Sequence, residues 1–298
     1  MKKEDYSIYE YRMQKEIQNH EVVYNERLNG KFEKISVRTS ISGYVDGYIY
    51  RPEACDKDEV LPVMFNFHGG GNVLGYAEVD GIYCQRLANE AHCAVINIDY
   101  CLAPEFKFPK PIYSTYEAIV KIKENSYLYK IDPNRIVVGG HSAGGYISAA
   151  LCLLDRKRKE IGISGQIIDY APLKQSLSEE DRKALDPSKA MSPSRIAQYI
   201  NWYFEDLNDL DDPLASPLLA DLSNLPRMLI LAAEYDSLLK EEKDFADKAK
   251  AQGNNVKFEI FKDCQHGFTH KWLKEYNEKE AERAWKMMVD FLKEIFFE

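Results

Sequence analysis

A serine flanked by small residues stands in a setting that favours nucleophilic catalysis. The motif Gly140-His-Ser-Ala-Gly144 comes directly after the apolar run Ile136–Val138 and directly before the helical pattern Gly145–Leu154. A sharp strand-to-helix turn exposes the central side chain, needs small neighbours, and puts behind it a helix N-terminus, which favours negative charge. We therefore predict that Ser142 is a nucleophile.

A second motif, His68-Gly-Gly-Gly71, ends another apolar run and is suited to binding a developing oxyanion. Consecutive glycines leave their backbone N–H groups unshielded and let the chain approach a substrate oxygen closely. The residue after a nucleophile of this kind, here Ala143, usually supplies a further N–H donor. We predict an oxyanion hole built from these groups, and we expect the His68 side chain to orient the loop by a hydrogen bond rather than to act as a base.

A serine nucleophile needs a base, and two histidines follow it in the chain, His266 and His270. His266 lies in a loop after the alternating segment Val256–Phe261, which places it where a base is needed. His270 lies at the start of the last helical region, and we expect it at the surface. His266 is therefore the predicted base.

The base in turn needs an acid that fixes its tautomer. Asp236 follows the apolar run Met228–Ala233, at the carboxyl end of a predicted strand, where functional side chains of open α/β sheets gather. Asp263 is a rival, but three residues from His266 in one loop it would struggle to face the ring. We predict Asp236 as the acid, which gives the chain order serine, aspartate, histidine.

Short apolar runs alternate with longer helical patterns through most of the chain, which predicts a mostly parallel sheet covered by helices on both faces. A hairpin is expected within Val37–Tyr50, and an edge strand at Val256–Phe261. The predicted inner strands are Leu61–Phe67, Ala94–Ile98, Ile136–Val138, Gln166–Ile168 and Met228–Ala233. The predicted helices are Ala77–Ala91, Ile112–Glu124, Gly145–Leu154, Lys240–Gln252 and Glu278–Phe296.

Two stretches break this alternation, and we interpret them as a helical cap over the strand ends. One comprises about the first 30 residues, and the other runs from about Leu173 to Leu214, with an aromatic helix at Ile196–Phe204. A connection as long as the second one is usually functional. We expect residues 1–298 to form one α/β domain that carries this cap.

Composition excludes several classes of function. The formal net charge of −9 argues against nucleic acid as a partner, because phosphate binding needs clustered Lys and Arg. The sequence has no run of 18 or more apolar residues, so we expect no membrane span. The two N-terminal lysines are not followed by the apolar stretch that a signal peptide requires. The six scattered cysteines form no zinc-like cluster. We expect a cytoplasmic protein with no metal and no cofactor.

With these residues in hand, the chain resembles the hormone-sensitive-lipase-like branch of the α/β-hydrolases, the bacterial carboxylesterases. The resemblance spans roughly residues 60–270. It rests on His68-Gly-Gly-Gly71, Asp99-Tyr-Cys-Leu-Ala-Pro-Glu105, Gly140-His-Ser-Ala-Gly-Gly145, Pro213-Leu-Ala-Ser-Pro217, Glu234-Tyr-Asp236 and His266-Gly-Phe268. The resemblance implies an α/β-hydrolase fold, a triad of Ser142, Asp236 and His266, and an oxyanion hole from the N–H groups of Gly70, Gly71 and Ala143.

Two positions depart from the family pattern. Position 141 is His where this branch usually has Asp, and position 101 is Cys where it usually has Arg. Neither position is the predicted nucleophile, base or acid. We expect the first departure to alter the pH behaviour near the nucleophile and the second to alter the packing of its own loop.

The expected reaction is hydrolysis of small, short-chain carboxylic esters through an acyl-enzyme intermediate. Two alternatives stay open from the residues alone. The same triad serves peptidases and amidases on this fold, and the fold has also been reused for ligand binding without catalysis. A homodimer through the edge strand is compatible with the sequence.

Overall fold

An eight-stranded sheet organises the described part of the chain. The structure is a computed structural model that describes residues 7–16, 31–75, 77–178 and 182–298. The strand order is β1-β2-β4-β3-β5-β6-β7-β8, with β1 and β2 antiparallel to their neighbours and every later pair parallel. The strands are β1 (Glu33–Thr39), β2 (Gly43–Tyr50), β3 (Leu61–Phe67), β4 (Ala94–Asp99), β5 (Ile131–His141), β6 (Ile163–Asp169), β7 (Arg227–Ala233) and β8 (Val256–Phe261). The predicted mostly parallel sheet is confirmed.

Helices cover both faces of this sheet, as predicted. Residues 7–16 are helical and are named α1 here. The other helices are α2 (Gly81–Ala91), α3 (Lys110–Glu124), α4 (Ala143–Arg158), α5 (Pro193–Tyr203), α6 (Leu239–Ala251) and α7 (Glu278–Phe297). Side chains of α2 and α7 share one buried cluster, whereas those of α3, α4 and α6 share the cluster on the opposite face. Burying two faces explains why the inner strands are continuously apolar.

Most boundaries differ from the predicted ones by a few residues. Strand β3 is fully buried along its length and begins and ends where predicted. Helix α3 begins at Lys110 rather than Ile112, because a proline, here Pro111, is tolerated in the first turn of a helix. Strand β5 begins at Ile131, five residues earlier than predicted, and its register shifts beside β6. Strand β8 lies at the edge, as predicted.

The two predicted cap segments contact each other where the structure describes them. The phenol oxygens of Tyr11 in α1 and Tyr199 in α5 lie 2.7 Å apart, and the indole of Trp202 donates to Ser7 Oγ at 3.2 Å. Residues 1–6, 17–30 and 179–181 of the predicted cap lie outside the described residues. The extent of the cap stays a prediction.

Within the described ranges, we find no helix with both the length and the apolar character that crossing a bilayer requires.

Candidate active site

The turn between β5 and α4 presents Ser142 at the carboxyl edge of the sheet. The residue has φ of +54° and ψ of −118°, and its N–H donates to the main-chain oxygen of Asp169 on the adjacent strand at 2.8 Å. A Cβ atom on Gly140 or Gly144 would collide with the main-chain oxygen of Phe67. Small residues are therefore required on both sides of the serine, as the sequence motif indicated.

The structure brings Ser142, His266 and Asp236 together in one chain of hydrogen bonds. His266 Nε2 lies 2.9 Å from Ser142 Oγ, and His266 Nδ1 lies 2.6 Å from Asp236 Oδ2. The second carboxylate oxygen of Asp236 accepts from the N–H of Leu238 at 3.1 Å. With Nδ1 protonated towards the carboxylate, Nε2 carries the lone pair that faces the serine hydroxyl.

The surroundings of His266 raise its pKa. Burial lowers the pKa of His266, but the charge of Asp236 and the hydrogen bond to it outweigh burial, and the pKa lies above its usual value of 6.5. The Asp236 side chain is completely buried, and the His266 side chain is 16% exposed. An imidazolium formed next to Ser142 would thus be stabilised by a carboxylate that water does not screen.

The rival acid lies elsewhere. Asp263 is exposed, and its carboxylate accepts a hydrogen bond from Tyr235 at 3.2 Å instead of contacting the ring of His266. Its φ is +58°, typical of a residue in a tight turn. Of the two candidate acids, Asp236 is the one in hydrogen-bond contact with His266.

The glycine motif lies beside the nucleophile on the loop after β3. Gly70 and Gly71 have φ of +120° and +63°, and both line the same cavity as Ser142 and Ala143. Ala143 is the first residue of α4, so its N–H has no acceptor within the helix. The three predicted donors therefore border one space, and the backbone of the two glycines takes values that disfavour any other residue.

His68 holds this loop from its buried side. Its ring stacks on Tyr100 with 4.3 Å between centroids, and its Nδ1 lies 2.6 Å from the main-chain oxygen of Gly69. The Tyr100 hydroxyl donates to the main-chain oxygen of His68 at 2.8 Å. These contacts suit the loop-orienting role predicted for His68.

A cavity of about 420 Å³ opens over the serine. Its walls are mainly aromatic and aliphatic, and both predicted cap segments contribute to them. The apolar lining residues include Tyr11, Leu74, Val79, Met191, Ile196, Tyr199, Ile200, Tyr203, Phe204, Leu238, Trp272 and Leu273. Such a lining suits the apolar part of a small ligand, with few polar groups to fix its orientation.

His270 lies on the polar side of the cavity. The prediction that it is a surface residue is wrong. His270 is 3% exposed, and its ring packs against Tyr83 of α2 and Trp285 of α7. Helix α7 begins only at Glu278, so His270 lies in the preceding loop, under the two helices. This packing joins segments that are distant in sequence, which the local pattern could not indicate.

His270 belongs to a buried network with Asp80, His141 and Asp169, which sequence reasoning did not assemble. His141 Nδ1 lies 2.8 Å from Asp169 Oδ2, and His270 Nε2 lies 3.5 Å from Asp80 Oδ1. Burial lowers the pKa of His141, yet the hydrogen bond and charge of Asp169 raise it above its usual value. Asp169 ends β6, and the strand-end rule that selected Asp236 would also have selected it.

Two further buried carboxylates lie behind Asp236. Burial raises the pKa of Glu241 to about 7, although Arg182 pairs with it at 2.8 Å. Burial and the charge of Asp236 raise the pKa of Glu242, which accepts the N–H of Ala171 at 2.7 Å.

Comparison with known proteins points to one family. A family model described as alpha/beta hydrolase fold matches residues 64–270. An arylesterase from Saccharolobus solfataricus is 34% identical over 193 residues, which are 64% of this chain and 63% of that protein. Carboxylesterase NlhH from Mycobacterium tuberculosis is 30% identical over 214 residues, 70% of this chain and 67% of the relative. The chain thus spans less than two thirds of the arylesterase's length.

A solved structure extends this similarity over nearly the whole chain. The hyperthermophilic esterase from the archaeon Pyrobaculum calidifontis superposes with a TM-score of 0.86 at 30% identity, covering 96% of this chain and 93% of that one. The metagenomic carboxylesterase EstE1 gives a TM-score of 0.86 at 27% identity, with 98% of both chains covered.

Proposed function

Because the chain belongs to the α/β-hydrolase family, in its hormone-sensitive-lipase-like branch, we propose that it is a serine carboxylesterase acting on small esters with short acyl chains. The proposed nucleophile is Ser142, the base His266 and the acid Asp236. The relatives named above are esterases, which supports the reaction class.

One observation carries the proposal, namely the unbroken contact from serine to histidine to aspartate. Ser142 Oγ is within hydrogen-bond reach of His266 Nε2 at 2.9 Å, and Asp236 Oδ2 is 2.6 Å from His266 Nδ1. A serine hydroxyl is a weak nucleophile unless a neighbouring base removes its proton as the new bond forms. This arrangement supplies that base and holds it in the required tautomer.

In the first half of the reaction, Ser142 Oγ bonds to the ester carbonyl carbon while its proton passes to His266 Nε2. The carbonyl oxygen becomes an oxyanion, which the N–H groups of Gly70, Gly71 and Ala143 are proposed to bind. His266 then returns the proton to the departing alcohol oxygen as the tetrahedral intermediate collapses. The products of this half are the free alcohol and an acyl ester of Ser142.

In the second half, a water molecule gives a proton to His266 Nε2 as its oxygen attacks the acyl carbonyl. The same oxyanion donors are proposed to bind the second tetrahedral intermediate. Collapse returns the proton to Ser142 Oγ and releases the carboxylic acid. Each removal of a single oxyanion donor is expected to cost about 3–4 kcal/mol of transition-state stabilisation.

The proposed preference for short acyl chains rests on the space above the nucleophile. The cavity holds about 420 Å³ in total, which acyl and alcohol parts must share. The ring of Tyr199 also lies directly over the loop His68–Gly71, named the oxyanion loop here, since a Cβ on Gly71 would be 2.5 Å from Tyr199 Cδ1. We infer that a long acyl chain meets the side chains of α5 that cover this loop.

A series of p-nitrophenyl esters from acetate to octanoate tests the proposal. We expect the highest kcat/KM at acetate or butyrate, and a burst of p-nitrophenol as the acyl-enzyme accumulates wherever deacylation is slower. Ser142→Ala should lose both turnover and labelling by a fluorophosphonate. Ser194→Ala, an exposed serine on α5, is the matched control and should retain both.

Several results would contradict the proposal. Full activity in Ser142→Ala would exclude the serine as nucleophile. Cleavage of peptide p-nitroanilides faster than of matched esters would change the reaction class to amide hydrolysis. A well-folded protein that is not labelled at Ser142 and cleaves no ester would favour a ligand-binding relative.

A further inference from the structure

We propose that Asp80, His141 and His270 form a binding site for a divalent transition-metal ion of the Zn²⁺ type on the polar side of the cavity. These residues play no part in the ester chemistry proposed above. Each offers one ligand atom, and the three atoms all lie within 4.8 Å of one another. Two imidazoles and one carboxylate are a ligand set that such ions prefer.

The spacing of the ligand atoms is close to what a metal ion requires. Bond lengths near 2.0–2.1 Å place ligand atoms about 3.3 Å apart around a tetrahedral zinc ion. His270 Nε2 and Asp80 Oδ1 are already 3.5 Å apart. The rings of His141 and His270 are 4.4 Å apart between centroids and nearly perpendicular. Binding therefore requires each pair of ligand atoms to move closer together by no more than about 1.5 Å.

Asp80 and His141 each use their other polar atom in a supporting hydrogen bond. Asp80 Oδ2 accepts from Asn66 Nδ2 at 3.0 Å, which leaves Oδ1 for an ion. His141 Nδ1 lies 2.8 Å from Asp169 Oδ2, so the neutral ring that donates from Nδ1 presents an unprotonated Nε2. A carboxylate behind a histidine ligand is the usual way in which proteins orient such a ligand and raise its basicity.

His270 is oriented in the same manner. Its Nδ1 lies 2.8 Å from the hydroxyl of Tyr170 and 2.9 Å from Oγ1 of Thr269. A ring that donates from Nδ1 to these oxygens keeps the lone pair on Nε2, the nitrogen that faces Asp80. All three proposed ligands are thus fixed by a second contact.

The buried charge at this site also favours a cation. Asp80 and Asp169 are 2% and 0% exposed, and Asp169 Oδ1 has no hydrogen-bond partner among the described residues. The ion pairs that either carboxylate makes within the described ranges are with histidines, not with Lys or Arg. Buried carboxylates are costly without a compensating charge, and an ion bound by Asp80 would provide it.

The site is reachable from solvent through the substrate cavity, because Asp80, His141 and His270 all line its wall. With three protein ligands, a fourth position is left for water or a ligand atom from the cavity. His141 is also one of the two departures from the family pattern. The Asp usual there would add a third carboxylate, whereas His supplies a nitrogen ligand.

Binding of Co²⁺ and Zn²⁺ by the full chain tests the proposal. After removal of metal with a chelator, we expect one Co²⁺ per chain with visible d–d absorption, displaced by Zn²⁺ in a calorimetric titration. Asp80→Asn and His270→Gln should each weaken binding more than about 100-fold, and Asp169→Asn by about 10- to 100-fold.

Two histidine variants serve as controls. His92→Gln removes an exposed histidine that pairs with Glu59, and His266→Gln removes the proposed catalytic base. Both should bind Co²⁺ as the unmodified protein does. Circular dichroism and fluorophosphonate labelling of Ser142 in Asp80→Asn and His270→Gln report whether these variants fold.

The proposal is overturned if no d–d absorption develops when Co²⁺ is added to the metal-free protein. It is equally overturned if Asp80→Asn and His270→Gln bind as tightly as the unmodified chain, or if binding is lost in His266→Gln alone. None of these results would bear on the esterase reaction, which is measured separately in the presence of chelator.

Discussion

The phenol oxygens of Tyr11 and Tyr199 lie 2.7 Å apart and join α1 and α5, one helix from each predicted cap segment. Both rings line the cavity, and the Tyr199 ring covers Gly71. The hydroxyl pair therefore holds the aromatic wall of the cavity at a fixed height above the oxyanion loop.

Removing that wall should change which esters are accepted. We expect Tyr199→Ala to raise the ratio of kcat/KM for the octanoate to that for the acetate ester by at least about tenfold, since pocket contacts of this size are worth about 1–3 kcal/mol. Tyr11→Phe keeps the ring and loses only the hydroxyl contact that holds this wall, so its ratio should shift in the same direction by a smaller amount than in Tyr199→Ala. An unchanged ratio in Tyr199→Ala would place the acyl chain elsewhere.

The acid can be identified by comparing two aspartates. Asp236→Asn should lower kcat by about 10⁴-fold, because the amide favours the wrong tautomer of His266. Asp263→Asn removes an exposed carboxylate and should leave kcat within about twofold. Steady-state kinetics with p-nitrophenyl acetate decide between them, and equal losses in both variants would contradict the assignment.

The pH dependence of kcat/KM should reflect the interaction between His266 and Asp236. Only neutral His266 can accept the serine proton. We therefore expect kcat/KM to reach its maximum above the pKa of His266 and to fall as the pH drops through that pKa. Because Asp236 holds that pKa above 6.5, the acidic limb should have its midpoint above this value. In Asp236→Asn the residual activity should show its midpoint at lower pH. A limb that does not move would exclude electrostatic coupling between the two.

Restoring the family's usual residue at position 141 should destabilise this chain. His141→Asp would place a carboxylate against Asp169, whose Oδ2 now lies 2.8 Å from the imidazole, and we expect a loss of about 3–5 kcal/mol in the free energy of unfolding. Urea denaturation with chelator present measures it. His141→Asp/Asp169→Asn should regain part of the loss, and lowering the pH should do so as well, because protonation removes the repulsion.

The fold and the three residues of the proposed triad could be predicted because their signals are local. Strand β3 is an unbroken apolar run since it is buried on both faces, and the turn around Ser142 needs small residues that a motif preserves. Asp236 follows a strand end, a position that the sequence itself marks. Such features need no knowledge of distant neighbours.

The polar side of the cavity could not be predicted in the same way. Asp80 is the last residue of a short 3-10 segment, His270 lies in a loop, and the network between them exists only because α2 and α7 pack together over the sheet. Each residue by itself resembles an ordinary surface position. Long-range packing, rather than local pattern, brings them together.

The backbone of Ser142 has a consequence for evolution as well as for chemistry. A non-glycine residue at φ of +54° and ψ of −118° costs folding free energy, of the order of 1–3 kcal/mol. Ser142→Gly should therefore raise the melting temperature while abolishing ester cleavage, and a lower melting temperature would refute this account. Selection for folding and selection for turnover oppose each other at this residue, so a descendant freed from catalysis would be expected to lose its serine first.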